Sequence, residues 1–139
     1  MNNKLVSTLI VALAIGAGTS MTHAAEAAKP DASAVKHVDA AAAAKLVKGD
    51  SKLTVLDIRT PAEFATGHIK GAKNYNFQGD GFRGELNQLD KNKPYLVHCA
   101  SGGRSTKSLE LFKQLGFKSL YHLDGGIKAW EKASLPVEK

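Results

Sequence analysis

Hydrophobic and polar positions change period several times along the chain. A run of apolar and small residues from Leu5 to Gly18 comes first. Val38 to Lys48 (VDAAAAAKLVK) predicts a helix, with Asp39 as its N-cap and Gly49 as its stop. Leu53 to Ile58 (LTVLDI) reads as a short buried strand of the parallel kind. Thr60 stands three residues before Glu63 with Pro61 between them, a capping box that opens a short helix ending at Gly67. Lys73 to Phe77 is a second extended piece, Gln78 to Gly84 a glycine-rich loop, and Glu85 to Asp90 a short helix. Pro94 to His98 (PYLVH) is a third strand. In Arg104 to Leu115 (RSTKSLELFKQL), Ser108, Leu111, Phe112 and Leu115 share one helical face, and Gly116 ends it. Ser119 to Leu123 is a fourth strand, closed by Asp124-Gly125-Gly126. Ile127 to Ala133 is a last helix carrying Trp130 as a core plug. Strands alternating with helices predict an α/β domain with a mostly parallel central sheet flanked by helices. Reactive groups in such sheets gather at the carboxyl ends of strands.

The first apolar run is about 14 residues, short for a membrane span. Lys4 precedes it, and Thr22 and Ala24 are small residues suited to a cut after Ala24, with a second site after Ala27. Residues 1–24 therefore read as a signal peptide, 25–36 as a flexible lead-in and 37–139 as one domain. The expected location is periplasmic or secreted, with no stable membrane association after cleavage. Without Lys4 the chain keeps 18 basic against 13 acidic side chains, about +5. The lysines are dispersed and few aromatics lie between them, so no nucleic-acid partner is expected. A mild attraction for small anions remains.

Cys99 is the single cysteine in 139 residues, so it cannot form an internal disulfide. It is a free thiol, an intermolecular link or a nucleophile. The stretch HCASGGRS decides between them. Cys99 leaves a strand, Ala100, Ser101, Gly102 and Gly103 follow, and Arg104 and Ser105 begin a helix. Small residues let backbone N–H groups turn toward one point, and the helix start aims its own free N–H groups there. Such a ring lowers a thiol pKa and holds an anion. Arg104 adds a fixed charge able to grip an oxyanion with two donors. Cysteine phosphatases use a loop one residue longer, wide enough for a phosphoryl group. Four residues between Cys99 and Arg104 suit a single sulfur atom better.

With that loop the sequence resembles the rhodanese family of sulfurtransferases. LDIRTPAEFATGHIKGAKN is similar to a second family signature, through Asp57-Ile58-Arg59, Glu63-Phe64, Gly67-His68-Ile69 and Gly71-Ala72. LDGGIKAW is similar to a third, through Gly125, Gly126 and Trp130. The resemblance covers Val38 to Leu135 and is to the single-domain, exported bacterial type. It implies a rhodanese-like α/β sheet of about five strands. It also implies transfer of a sulfane sulfur from thiosulfate, or a similar small anionic donor, to cyanide or another thiophilic acceptor. Cys99 would be the nucleophile and persulfide carrier. Backbone N–H groups from Ala100 to Ser105 would stabilise the persulfide, and Arg104 would hold the donor. A protein thiol partner is possible.

Asp57 and Arg59 have two readings: a second anion contact at the pocket mouth, or a buried pair that fixes neighbouring loops. The second is favoured, because a strand-end charge inside a domain needs a partner. His68 reads as structural. His98 should point to the other side of its strand from Cys99. The five histidines show no metal-ligand spacing, so neither a metal nor another cofactor is expected. Two alternatives stand beside the sulfurtransferase: a persulfide-relay or binding module with little turnover on small donors, and a small cysteine phosphatase.

Overall fold

Each short apolar run becomes a strand because it has a helix to bury against on either face. The structure, a computed structural model, describes residues 34–139. In chain order the elements are β1 (Val35–Val38), α1 (Ala40–Gly49), β2 (Thr54–Asp57), α2 (Pro61–Thr66), β3 (Lys73–Asn74), α3 (Phe82–Asn87), β4 (Pro94–His98), α4 (Gly103–Gln114), β5 (Ser119–Leu123) and α5 (Gly126–Lys132). The strands form one five-stranded sheet in the order β1-β5-β4-β2-β3, and every pair is parallel. This is an α/β fold with an all-parallel sheet. Among the described residues no helix is long and apolar enough to cross a membrane.

Side chains alternate between the two faces of the sheet. One face carries Leu56, Tyr95, Val97 and Leu120, packed with Phe82, Leu86 and Phe112 of α3 and α4. The other carries Val55, Leu96 and Leu123, packed with α1 alanines and with Ile127 and Trp130 of α5. Trp130 is buried, and its indole N–H donates to the Pro136 carbonyl at 2.9 Å. Cys99 belongs to the first face, one residue past β4. His98 is fully buried beside it in sequence.

Several expected boundaries move. The predicted leader, residues 1–24, lies outside the described residues, as does most of the lead-in. Val35 and Lys36, assigned to a flexible lead-in, are instead in edge strand β1, paired with β5 from Val35↔Leu120 to Val38↔Leu123. Ladder hydrogen bonds from β5 order them. The first helix starts at Ala40, after the expected cap: the Asp39 carboxylate accepts from the Ala42 N–H at 2.8 Å. Gly49 is not its stop but its last residue, and the chain leaves at Asp50, whose N–H donates to Leu46 O. The third helix begins at Phe82, three residues before the expected Glu85, because Phe82 and Leu86 share a face and bury together. The Thr60–Glu63 capping box forms as predicted, with the Thr60 N–H donating to Glu63 Oε2 at 3.0 Å.

Candidate active site

The carboxyl ends of β2, β4 and β5 surround Cys99. After β4 the chain runs Ala100-Ser101-Gly102, and Gly102 adopts φ +104 before α4 begins. That left-handed turn points the Gly102 N–H back at the sulfur, 3.1 Å away. Ser105, in the first turn of α4, places its hydroxyl 3.4 Å from Sγ. Burial pushes the Cys99 thiol up. The Ser105 hydroxyl and the N–H groups of Ser105, Gly102 and Ser101 push it down, and the net shift is downward. Cys99 is only 1% exposed, deeper than a freely reachable nucleophile, and the N–H groups of Ser101, Gly102 and Ser105 act on its sulfur.

The loop is held from behind by α5. The Ile127 N–H donates to Cys99 O at 2.9 Å and the Lys128 N–H to Ala100 O at 3.1 Å. With their carbonyls engaged on that side, the loop's N–H groups are left to face inward. This requires Gly126. A Cβ there would lie 2.5 Å from Cys99 O and 2.6 Å from Ala100 O, and the residue has φ +60. The glycine pair that closes β5 thus lets α5 touch the cysteine loop.

Asp57 and Arg59 form the buried pair. Arg59 Nη2 donates to Asp57 Oδ2 at 2.6 Å and to Gly67 O at 2.8 Å, while Nε and the Arg59 N–H also reach the carboxylate. Asp57 is fully buried and Arg59 nearly so. The pair clamps the end of β2 to the end of α2 through Arg59 Nε and Nη2.

Arg104 is placed differently from the expected anion grip. Its two terminal nitrogens donate to both Glu63 oxygens, at 2.8 and 2.7 Å. The same carboxylate closes the capping box of α2, so Glu63 ties α2 to the start of α4. The Arg104 hydrogen bonds are the largest influence holding the Glu63 pKa down to about 2, against burial. Of the remaining loop residues, Ser101 and Gly103 are exposed, Ala100 is half-buried and Gly102 is buried.

His68 stacks on Phe64 at 3.8 Å between ring centroids and bonds to the Phe64 carbonyl, a structural role. His98 Nδ1 donates to Cys99 O at 3.0 Å, while its Nε2 has no hydrogen-bond partner and lies 3.7 Å from Asp57. Burial is the largest influence on His98 and lowers its pKa, which favours the neutral ring.

Sequence reasoning missed His122. It is 2% exposed, with Nε2 2.7 Å from Ser105 Oγ and Nδ1 2.8 Å from Asp124 Oδ1. His37 Nδ1 reaches the same oxygen at 2.8 Å. His37, His122 and Asp124 thus form one hydrogen-bonded cluster. One signal was present: in a strand alternating from Leu120 to His122, a histidine takes a core-facing position on the Cys99 side.

A family model described as Rhodanese-like domain matches residues 39–133. The chain is 31% identical over 102 residues to the thiosulfate sulfurtransferase GlpE of Vibrio cholerae, covering 73% of this chain and 93% of that one. A crystal structure of a rhodanese-related protein from Thermoplasma volcanium is similar at TM-score 0.65 and 32% identity, covering 74% of this chain and 97% of that one. A structure from Rhodopseudomonas palustris, described as a protein of unknown function and possible tyrosine phosphatase, is similar at TM-score 0.62 and 29% identity, covering 75% of this chain and 85% of that one.

Proposed function

Because the chain belongs to the rhodanese-like family, we propose that it is a thiosulfate-type sulfurtransferase working through a persulfide on Cys99. The single observation that carries this reading is the set of donors converging on Sγ: the N–H of Gly102 at 3.1 Å and the Ser105 hydroxyl at 3.4 Å. They favour a thiolate and then the terminal sulfur anion of a persulfide.

The Cys99 thiolate attacks the outer sulfur of thiosulfate. A sulfur–sulfur bond forms, the bond to the sulfonate sulfur breaks, and sulfite leaves. Cyanide or a thiol then takes the outer sulfur and returns the thiolate. Two displacements through one covalent intermediate give ping-pong kinetics. Arg104 acts in this reading through its charge and by holding α4 to Glu63, while contact with the anion falls to the loop amides. Residues 1–24 act as a leader that directs export, on the strength of their apolar core and small-residue flank. The mass of the protein recovered from an exporting host should then be that of a chain beginning at Ala25 or at Ala28.

The experiment is a thiocyanate assay with thiosulfate and cyanide, run beside intact mass. The wild type should gain one sulfur and make thiocyanate, and Cys99→Ser should do neither. Thiocyanate production by Cys99→Ser would end the mechanism. A gained sulfur with almost no thiocyanate would instead favour a relay to a protein thiol, a reading helped by how deeply Cys99 is buried. Hydrolysis of an aryl phosphate dependent on Cys99 would point to a phosphatase.

A further inference from the structure

The Cys99 thiol must lose a proton before it can attack, and at 1% exposure it has little direct contact with bulk water. A continuous hydrogen-bonded path leads away from it. Ser105 Oγ lies 3.4 Å from Sγ and 2.7 Å from His122 Nε2. His122 Nδ1 and His37 Nδ1 both meet Asp124 Oδ1 at 2.8 Å. His122 is buried, whereas the side chains of His37 and Asp124 are half exposed. The path therefore runs from a buried sulfur to the surface.

Proton roles follow from the groups themselves. A carboxylate only accepts, so His122 Nδ1 carries hydrogen toward Asp124. In neutral His122 the Nε2 lone pair then faces Ser105. The Ser105 hydroxyl has one proton and three acceptors within reach: His122 Nε2, Gly102 O at 3.2 Å and Cys99 Sγ. The shortest of these contacts is to His122. If Nε2 gains a proton, it donates to Ser105 instead, and the hydroxyl proton is freed to point at the sulfur.

We propose that His122, oriented by Asp124, takes the Cys99 thiol proton through the Ser105 hydroxyl and holds it as imidazolium while the thiolate reacts. The S–H bond breaks as an O–H bond forms at Ser105. The original Ser105 O–H bond breaks as an N–H bond forms at His122 Nε2. The electron pair stays on sulfur, and nothing is oxidised or reduced. Ser105 touches the reacting atom; His122 and Asp124 are positioning residues. The relay rests on the sulfurtransferase reading only for what the thiolate goes on to attack.

The surroundings allow a charged His122. Just past β5, Asp124 faces it, with its pKa held down first by the hydrogen bond from His37 and also by that from His122. On β1, His37 meets it edge-on at 5.1 Å between ring centroids. At the end of β4 stand Cys99 and His98, whose pKa burial lowers. On α4, Ser105 contacts it and Arg104 is paired with Glu63.

The test follows thiolate formation by ultraviolet absorbance, using Cys99→Ser as the blank, from acid to alkaline pH. Coupling of about one pKa unit or more makes the wild-type titration two-step. His122→Leu and Ser105→Ala should leave a single step. His122→Gln should do the same, although it restores a hydrogen bond to Ser105, which separates proton uptake from a merely structural role. Asp124→Asn should move the upper step, at which the imidazolium loses its proton, to lower pH by about one unit, a tenfold loss of imidazolium at a given pH. By reciprocity the His122 ring, followed by NMR, should titrate lower in Cys99→Ser than in the wild type. Should His122→Leu fail to fold, the half-exposed Asp124 variant and the NMR titration read the same coupling. A wild-type titration that coincides with that of His122→Gln, or two steps surviving in His122→Gln, would overturn the relay. No sulfur donor is involved. Two steps without thiocyanate would keep the relay and reject the sulfurtransferase, and thiocyanate with coincident titrations would do the reverse.

Discussion

Gly126→Ala should damage the cysteine loop from outside it. The added Cβ would sit 2.5 Å from Cys99 O, 2.6 Å from Ala100 O and 2.7 Å from Ala100 C. These are backbone atoms, so no rotamer change relieves the clash, and φ is +60. The left-handed conformation costs an alanine about 1 kcal/mol and the overlap about 2–3 kcal/mol. If α5 backs away, the bonds from Ile127 N–H and Lys128 N–H to the loop carbonyls stretch as well, each contributing about 1 kcal/mol. The total is about 5–6 kcal/mol, or roughly 20–24 °C in Tm for a domain near this size. Loosening the loop also moves the Gly102 N–H from Sγ, so the Cys99 pKa should rise toward that of a free thiol. Differential scanning calorimetry and the thiol titration measure both effects. Gly84→Ala is the control: its Cβ meets nothing within 4 Å inside α3, and it should stabilise by about 0.5–1 kcal/mol. A Gly126→Ala protein with wild-type Tm and thiol pKa would refute the idea that α5 presses the loop into shape.

Other substitutions probe the clamps around the site. The folded pKa of Glu63 lies below its unfolded value, so its stabilisation is complete above pH 4.5 and is lost as pH falls through about 2. Its side chain is 36% exposed, so solvent screening limits the contribution to about 1 kcal/mol. Glu63→Gln should therefore cost a few degrees of Tm at neutral pH and remove this component of the acid limb; an unchanged acid profile would count against the pair. Asp57→Ala leaves the Arg59 guanidinium buried with only Gly67 O and should cost about 3–5 kcal/mol in urea unfolding. A cost below about 1 kcal/mol would mean that Arg59 escapes to solvent.

Local chemistry made much of the site legible. The Thr60–Glu63 capping box, the Asp39 cap and the small-residue loop before α4 are each set by neighbours within a few positions. So the strand, cysteine, loop and helix follow from the residues in order, and so does the alternating α/β arrangement. The Arg59–Asp57 pair was also readable, being two residues apart and forced by burial. Arg104 was not. Its partner Glu63 lies 41 residues away in sequence, and whether a fork of donors meets a substrate or a carboxylate depends on where α2 is packed.

The sequence by itself determined an α/β domain with its one thiol at a strand end inside a ring of amides, because turn and cap preferences act over short range. The sheet register decided the rest. Strand β1 is four residues long and too short to be read alone. Only its ladder with β5 sets His37 opposite His122, and only packing of α4 on that face brings Ser105 to His122. Contacts between distant segments carry no local pattern, so the proton path from the sulfur to the surface exists only in the folded chain.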